Sequence, residues 1–302
     1  VRGYMWQNVF ENISQSRTAD MGNYLELADF VSWSKKNFPA KKYLLIVWGH
    51  GSGWLDFYGG QRTVNRGVSY DYQSQNFIKT AQLRKVFEAA GPVDVLLFNA
   101  CRMQSAEVLY ELRDGARYIV GSQFDVQADT FDLARVLEIA GASATPEGAA
   151  RDIVSTAVNM KPGTPVSVSA VDSNALKALP KYLDAVAEFI EAGVYPVQQI
   201  YGLTPRFDTA RQPSTVDLYA LASIMTGFTQ PERAAALRDF VTGRLVRQQF
   251  PHATGLALHG VSIELPYPNQ YNSPGYKANY AALELGKASR WGGFLQKIGS
   301  AK

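Results

Sequence analysis

Three apolar runs that stop abruptly set what this chain can become. YLLIVWGHGSGW (43–54), VDVLLFNACRM (93–103) and ARYIVGSQ (116–123) each hold a short unbroken apolar stretch and then break into glycine or polar residues. A strand with one wet face alternates apolar and polar side chains, so an unbroken run of this length reads as a strand covered on both faces. Helical periodicity fills the intervals, in IKTAQLRKVFEAAG (78–91), SAEVLYELRDG (105–115) and DLARVLEIAG (132–141), with Gly91 as the stop of the first. Strand then helix, repeated, predicts an α/β fold in which right-handed crossovers sandwich a mostly parallel β-sheet between helices.

Upstream, YLELADFVSWSKKNF (24–38) predicts a helix stopped by Pro39, and a long polar connection (56–76) leads from the first strand to the next helix. The second half alternates more loosely. TPVSVSAVD (164–172) reads as a strand, NALKALPKYLDAVAEFIEAG (174–193) as a helix, and TVDLYALASIMTGF (215–228) and PERAAALRDFVTGRLVRQQF (231–250) as further helices. GLALHGVSIELPYP (255–268) reads as a final strand or hairpin. No repeat and no Pro/Ser-rich linker divides the chain. Residues 1–163 are therefore taken as the α/β core, and 164–302 as the C-terminal part of the same domain, a mixed α/β elaboration of helices plus one or two strands.

Composition removes several function classes. With 46% apolar and 12% aromatic residues among 302, the chain has ample core and is not a disordered protein. Thirty basic against 27 acidic side chains give a net charge of +3, with no basic cluster to follow a nucleic-acid backbone. No apolar run approaches the ~20 residues of a membrane-spanning helix. The start, VRGYMWQNVF, has no signal-peptide pattern and no initiator Met, as expected of a mature form or a fragment.

The chemistry-bearing residues stand at strand ends, outside which open parallel sheets bind their ligands. His50 follows the first run, and Cys101, the single cysteine, follows the second. A thiol acts as a nucleophile once deprotonated, and a nearby imidazole supplies or stabilises that state. Gly49, Gly51 and Gly53 flank the histidine, so backbone N–H groups of Gly51 and Cys101 are candidates for an oxyanion hole, with a helix start near Cys101 to favour an anion. Taken singly, a buried thiol is packing and a histidine among glycines is a turn residue. The conjunction of the two strand ends carries the catalytic reading.

At these residues the chain resembles the caspase-like clan of cysteine peptidases. VWGHGSGW, with Asn-Ala-Cys-Arg-Met (99–103) and Glu107, resembles the clostripain family (C11) within it. YLELADFVSWSKKNFPAKKY, VSVSAVD, STVDLYALA, HGVSIELP, YNSPGYKANYAAL and SRWGGFL extend the likeness over most of the chain. The resemblance implies a caspase-like fold, Cys101 as nucleophile, His50 as catalytic imidazole, and cleavage of protein or peptide substrates after Arg or Lys. It implies a bacterial enzyme, secreted or in the cell envelope; a monomer is expected. It also implies self-cleavage between the two strands, where Arg62 and Arg66 are candidate sites beside the alternative of a solvated loop face. No cofactor is required for that chemistry. Calcium dependence varies in the family, and no Asp-x-Asp-x-Asp-Gly loop argues for it here.

Two departures qualify the expectation. The family carries an acidic residue two positions before the cysteine, lining the primary specificity pocket, and this chain has Asn99. Asn cannot match a carboxylate's charge-assisted pairing with guanidinium. SQFDVQADTFD (122–132) offers Ser122 at the next strand end, and Asp125 or Asp129 as a replacement acid, whereas Asp132 reads as a helix cap. The family also opens with a further strand and helix, whose absence would expose a sheet edge near VRGYMW. His252 and His259 read as structural, and three His with one Cys at these spacings form no zinc pattern. Two rival readings stay open: an inactive peptidase-like binding or scaffolding protein, motivated by Asn99, and a regulator with an inert thiol.

Overall fold

The structure, a computed structural model, describes residues 2–6, 9–14, 19–54, 67–157, 167–193, 197–205, 214–228, 230–250, 258–272 and 275–300. The apolar runs are strands, as their composition requires. In chain order come β1 (Arg2–Trp6), β2 (Val9–Ser14), α1 (Tyr24–Asn37), β3 (Leu44–Trp48), β4 (Val68–Asp71), β5 (Asn76–Ile78), α2 (Thr80–Ala90), β6 (Val93–Asn99), α3 (Ala106–Glu111), β7 (Ala116–Ser122), α4 (Leu133–Ala142) and α5 (Pro146–Ser155). The second half adds β8 (Val168–Asp172), α6 (Ser173–Leu176), α7 (Leu179–Glu191), α8 (Val197–Leu203), β9 (Thr215–Asp217), α9 (Leu218–Met225), α10 (Glu232–Phe240), β10 (Val246–Gln249) and β11 (Ser262–Glu264). Helical segments Tyr276–Ala282, Glu284–Ala288 and Trp291–Ser300 lie toward the C-terminus.

The central sheet has the order β10-β8-β7-β6-β3. β3, β6 and β7 are parallel, and β8 and β10 join antiparallel. Side chains alternate across it with the period of two that a pleated strand imposes. Val95, Leu97, Tyr118 and Val120 share one hydrophobic cluster with α4 and α5 on one face; Leu96, Phe98 and Ile119 belong on the other to a larger cluster that takes in residues of α1, α2, α3, α7, α9 and α10. The continuous apolar runs are thereby explained: both faces of β6 are dry.

Several expectations change in detail. VRQQ, expected to prolong a helix, is strand β10. After α10 the chain makes one π-helical turn at Val241–Leu245, then pairs with the otherwise open edge of β8, where buried backbone groups need partners. Arg247 of β10 is held by Glu147 on α5 through Nε (2.8 Å) and Nη2 (2.6 Å). The connection 56–76 contains β4 and leads into β5, which form a hairpin. α5 was not foreseen. It begins with Thr145, whose hydroxyl accepts from Gly148 N, and Pro146 in its first turn. β1 and β2 pair with each other, and the central sheet ends on this side at β3.

Candidate active site

The parallel pairing of β3 with β6 decides how the two strand ends meet. Trp48 stands opposite Asn99, and Gly49 N donates to Asn99 O at 3.2 Å. His50 and Cys101 are each two residues past that last pair, so the register places them on the same rim. The loops touch: a Cβ on Gly51 would lie 2.4 Å from Cys101 O and 2.9 Å from Cys101 N. Only glycine fits at 51, because the close approach leaves no room for a side chain.

Beyond Cys101 the backbone turns sharply. Arg102 has φ +62°, a left-handed conformation unusual for a long side chain and one that surrounding structure must hold. The holding contacts are visible. Arg102 N donates to Phe124 O (3.0 Å) and Gln104 N to Ser122 O (3.1 Å), so the segment runs beside the end of β7 before α3 begins at Ala106. The helix read from residue 105 begins there, with Ser105 as its N-cap, but it is too far from Cys101 for its dipole to act on the thiol. Four residues intervene, and the helix dipole acts only within about the first turn.

Cys101 is half-buried, with Sγ 3.4 Å from the donating Val126 N and 3.6 Å from Val126 O. Burial pushes its thiol above the ordinary value, the Val126 N–H works against that shift, and the Asp125 carboxylate adds to it. His50 is exposed, and its Nε2 lies 2.9 Å from the Tyr72 hydroxyl. The sulfur and the imidazole share the rim, each bonded elsewhere, and no hydrogen bond joins them.

The predicted pocket residues separate into committed and available groups. Asp125 is gripped by Arg102, Nε to Oδ1 at 2.7 Å and Nη2 to Oδ2 at 3.1 Å. Ser122 is fully buried, its hydroxyl accepting from Phe124 N at 3.1 Å. Asn99 is also buried. Its Nδ2 donates to Ala128 O (3.0 Å), while its Oδ1 meets no donor among the described residues. Asp129, adjacent to that carbonyl, is exposed. Asp132 caps α4, accepting from Arg135 N, as expected. Arg62, Arg66 and His252 lie outside the described residues.

His259 is held in place by its surroundings. Its backbone N donates to Asp217 Oδ2 (2.7 Å), and its ring stacks on Tyr219 at 3.7 Å. Tyr72, Arg102 and Val126 were not legible as site residues, because each arrives through a loop fold that carries no motif. Among the described residues, no group of three or more His, Cys, Asp or Glu gathers to hold a metal ion, and no helix is long and apolar enough to cross a membrane.

Comparison with known proteins agrees with this architecture. A secreted C11 cysteine protease from Bacteroides thetaiotaomicron, solved with an irreversible peptide inhibitor, superposes with a TM-score of 0.73 at 21% identity, covering 96% of this chain and 84% of that one. An inactive zymogen C11 protease from Parabacteroides distasonis gives 0.69 at 21% identity, covering 95% and 82%. In sequence, clostripain of Hathewaya histolytica is 32% identical over 117 residues, which is 36% of this chain and 22% of that protein. The clostripain family (Peptidase C11) model matches residues 5–246. With its parallel strand ends, its His-Gly and Ala-Cys loops in contact, and a family match across most of its length, this chain belongs to the clostripain family of cysteine peptidases.

Proposed function

We propose that the chain is a cysteine endopeptidase acting through Cys101 and His50, with cleavage after Arg or Lys. The observation that carries the reading is the β3–β6 register, which sets the imidazole and the thiol at equal steps past Trp48 and Asn99, with the Gly51 backbone against that of Cys101. His50 takes the thiol proton and Cys101 Sγ attacks the scissile carbonyl. The C–N bond then breaks as the imidazolium gives that proton to the leaving amine. Water hydrolyses the thioester, returning the thiol and releasing the carboxylate. Backbone N–H groups of Gly51 and Cys101 are assigned to the oxyanion. In this resting arrangement Sγ faces Val126, so a small rotation of the side chain precedes attack.

For the specificity pocket, Asp129 supplies the charge and Asn99 Oδ1, a buried acceptor without a described donor, supplies a neutral contact to a guanidinium or ammonium group. Asp125 is assigned to holding Arg102 instead. No cofactor enters these steps, and any calcium requirement would rest on the family resemblance alone. Arg62 and Arg66 are the proposed self-cleavage positions. The Bacteroides thetaiotaomicron relative is a secreted protein, and we place this chain likewise outside the cytoplasm of a bacterium, as a monomer acting on proteins or peptides.

The test is cleavage of a fluorogenic peptide library varied at the residue before the scissile bond. Wild type should cleave after Arg or Lys, and Cys101→Ala should abolish turnover with an unchanged melting temperature. Equal activity in the variant would sink the assignment. A second reading, an inactive peptidase-like binding protein, is favoured by Asn99 and by the thiol's resting contact with Val126. A folded, processed wild type that neither cleaves nor reacts with an arginyl chloromethylketone would select it.

A further inference from the structure

We propose that Tyr72 is a positioning residue for His50: it accepts a hydrogen bond from Nε2–H and so leaves Nδ1 as the ring nitrogen that exchanges protons with the thiol and the leaving amine. The inference rests on the peptidase reading above.

The geometry is specific. The hydroxyl is 2.9 Å from Nε2, and the two rings meet edge to face, with centroids 6.3 Å apart and planes at 67°. Tyr72 is 69% exposed, so burial of its ring does not explain its place. Among the described residues no other side chain, and no carboxylate, is hydrogen-bonded to the imidazole. An exposed imidazole otherwise samples ring orientations freely, and a catalytic one must be held within tenths of an ångström.

The platform that carries Tyr72 is tied down on three sides. Ser69 Oγ donates to Met21 O (2.7 Å), and Met21 N donates back to Asp71 Oδ2 (3.0 Å). Asp71 Oδ1 accepts from Gln73 N (2.8 Å) and Ser74 N (3.0 Å), closing the turn that Tyr72 opens. Asp20 reaches across to Ser74 Oγ (2.7 Å) and Asn76 Nδ2 (2.8 Å). On the side of the histidine loop, Gly67 N donates to Ser52 Oγ (2.5 Å), two residues from His50. Tyr70 packs edge-on against Tyr72 with centroids at 4.9 Å. Ser69 and Gln75 sit at φ +58° and +55°, backbone strain that the neighbouring contacts sustain. Tyr72 and His50 are thus mounted on one linked unit.

The arrangement suits the chemistry because it need not change during a turnover. In the neutral ring with Nε2 protonated, Nδ1 carries the lone pair that receives the thiol proton. In the imidazolium both nitrogens donate, and the Tyr72 oxygen goes on accepting from Nε2–H. The hydrogen bond is kept while Nδ1 gains and loses its proton.

The experiment compares wild type with Tyr72→Phe, which keeps the ring and removes the oxygen. We expect kcat to fall roughly tenfold, the order of one lost neutral hydrogen bond, with KM nearly unchanged. ¹⁵N spectra of histidine-labelled protein at alkaline pH read the tautomer without turnover; His50 should be protonated at Nε2 in wild type and a mixture in the variant. Unchanged kcat, a faster variant, or a wild-type ring protonated at Nδ1 would each overturn the proposal. His50→Ala and Cys101→Ala serve as controls. Activity surviving in either overturns the peptidase reading itself, whereas loss in both beside an unaffected Tyr72→Phe overturns only the role given to Tyr72.

Discussion

Cys101 and Glu107 lie six residues apart on the segment after β6, and their surroundings could hardly differ more. Cys101 is on a rim with, among the described residues, one N–H on the sulfur, an exposed histidine across a glycine loop and an acid beside it already held by Arg102. Glu107 is wholly sealed and faces a second sealed acid, Glu264. Glu107 Oε1 accepts from Glu264 N (3.0 Å) and the Tyr280 hydroxyl (3.2 Å), and Glu264 Oε2 accepts from Trp54 Nε1 (3.0 Å). Trp54 stands edge-on to Tyr276 and Tyr280, both at 5.1 Å. The histidine loop therefore runs from an exposed end at His50 to an anchor in the core at Trp54. The core end is held by sealed acids and packed rings, whereas the rim end at His50 is held by a hydrogen bond to the exposed Tyr72.

That contrast is tested first through the sealed acids, where the largest effect is expected. Burial, then the neighbouring Glu264, pushes Glu107 up to about 8, and burial raises Glu264 as well. An acid whose folded value lies above its unfolded one stabilises the fold fully at pH below the unfolded value and loses that contribution as pH rises through the folded one. Wild type should therefore lose thermal stability steadily from about pH 5 to pH 9. Glu107→Gln, which removes one of the two charges, should flatten that slope. Parallel slopes in the two proteins would show that the buried pair does not set the alkaline limit.

Next in size are the residues proposed for the specificity pocket. Asp129→Asn should reduce cleavage after Arg roughly tenfold or more, as loss of a charge-assisted hydrogen bond does, while leaving melting unchanged because the side chain is exposed. Asn99→Asp should move selectivity the other way, toward Arg. If neither variant alters the preference in a peptide library, the rim recognises its substrate elsewhere.

The smallest effect concerns the thiol itself. Asp125 opposes ionisation of Cys101, so Asp125→Asn should lower the pH at which iodoacetamide alkylates the sulfur. A shift in the opposite direction would mean that freeing Arg102 matters more by moving it than by unmasking its charge.

How much of this was legible can be judged residue by residue. β6 and β7 announced themselves as unbroken apolar runs, and α2 and α4 by their period. Cys101 and His50 stood out because strand ends are where parallel sheets present groups. β10 hid inside VTGRLVRQQF because local sequence there is compatible with a helix, and only the unfilled edge of β8 required a strand. The Glu107–Glu264 pair joins residues 157 apart and gave no local signal. Ser122 and Asp125 looked available on the rim, yet Ser122 is buried and accepts from Phe124 N two residues on, and Asp125 is held by Arg102, 23 residues away in the chain.

Alternation and periodicity determined the layers of this protein, since burying an apolar run on two faces leaves few arrangements open to it. The family motifs marked two of the strand ends, at His50 and Cys101. The tertiary structure alone decided the partners: Tyr72 for His50, Arg102 for Asp125, the Val126 backbone for the thiol, and the Glu264 backbone N–H for Glu107 in the core. The reason is physical. Hydrophobic burial is written in short-range patterns along the chain, whereas a hydrogen bond between distant side chains depends on how loops close, and that is settled only when the whole chain packs.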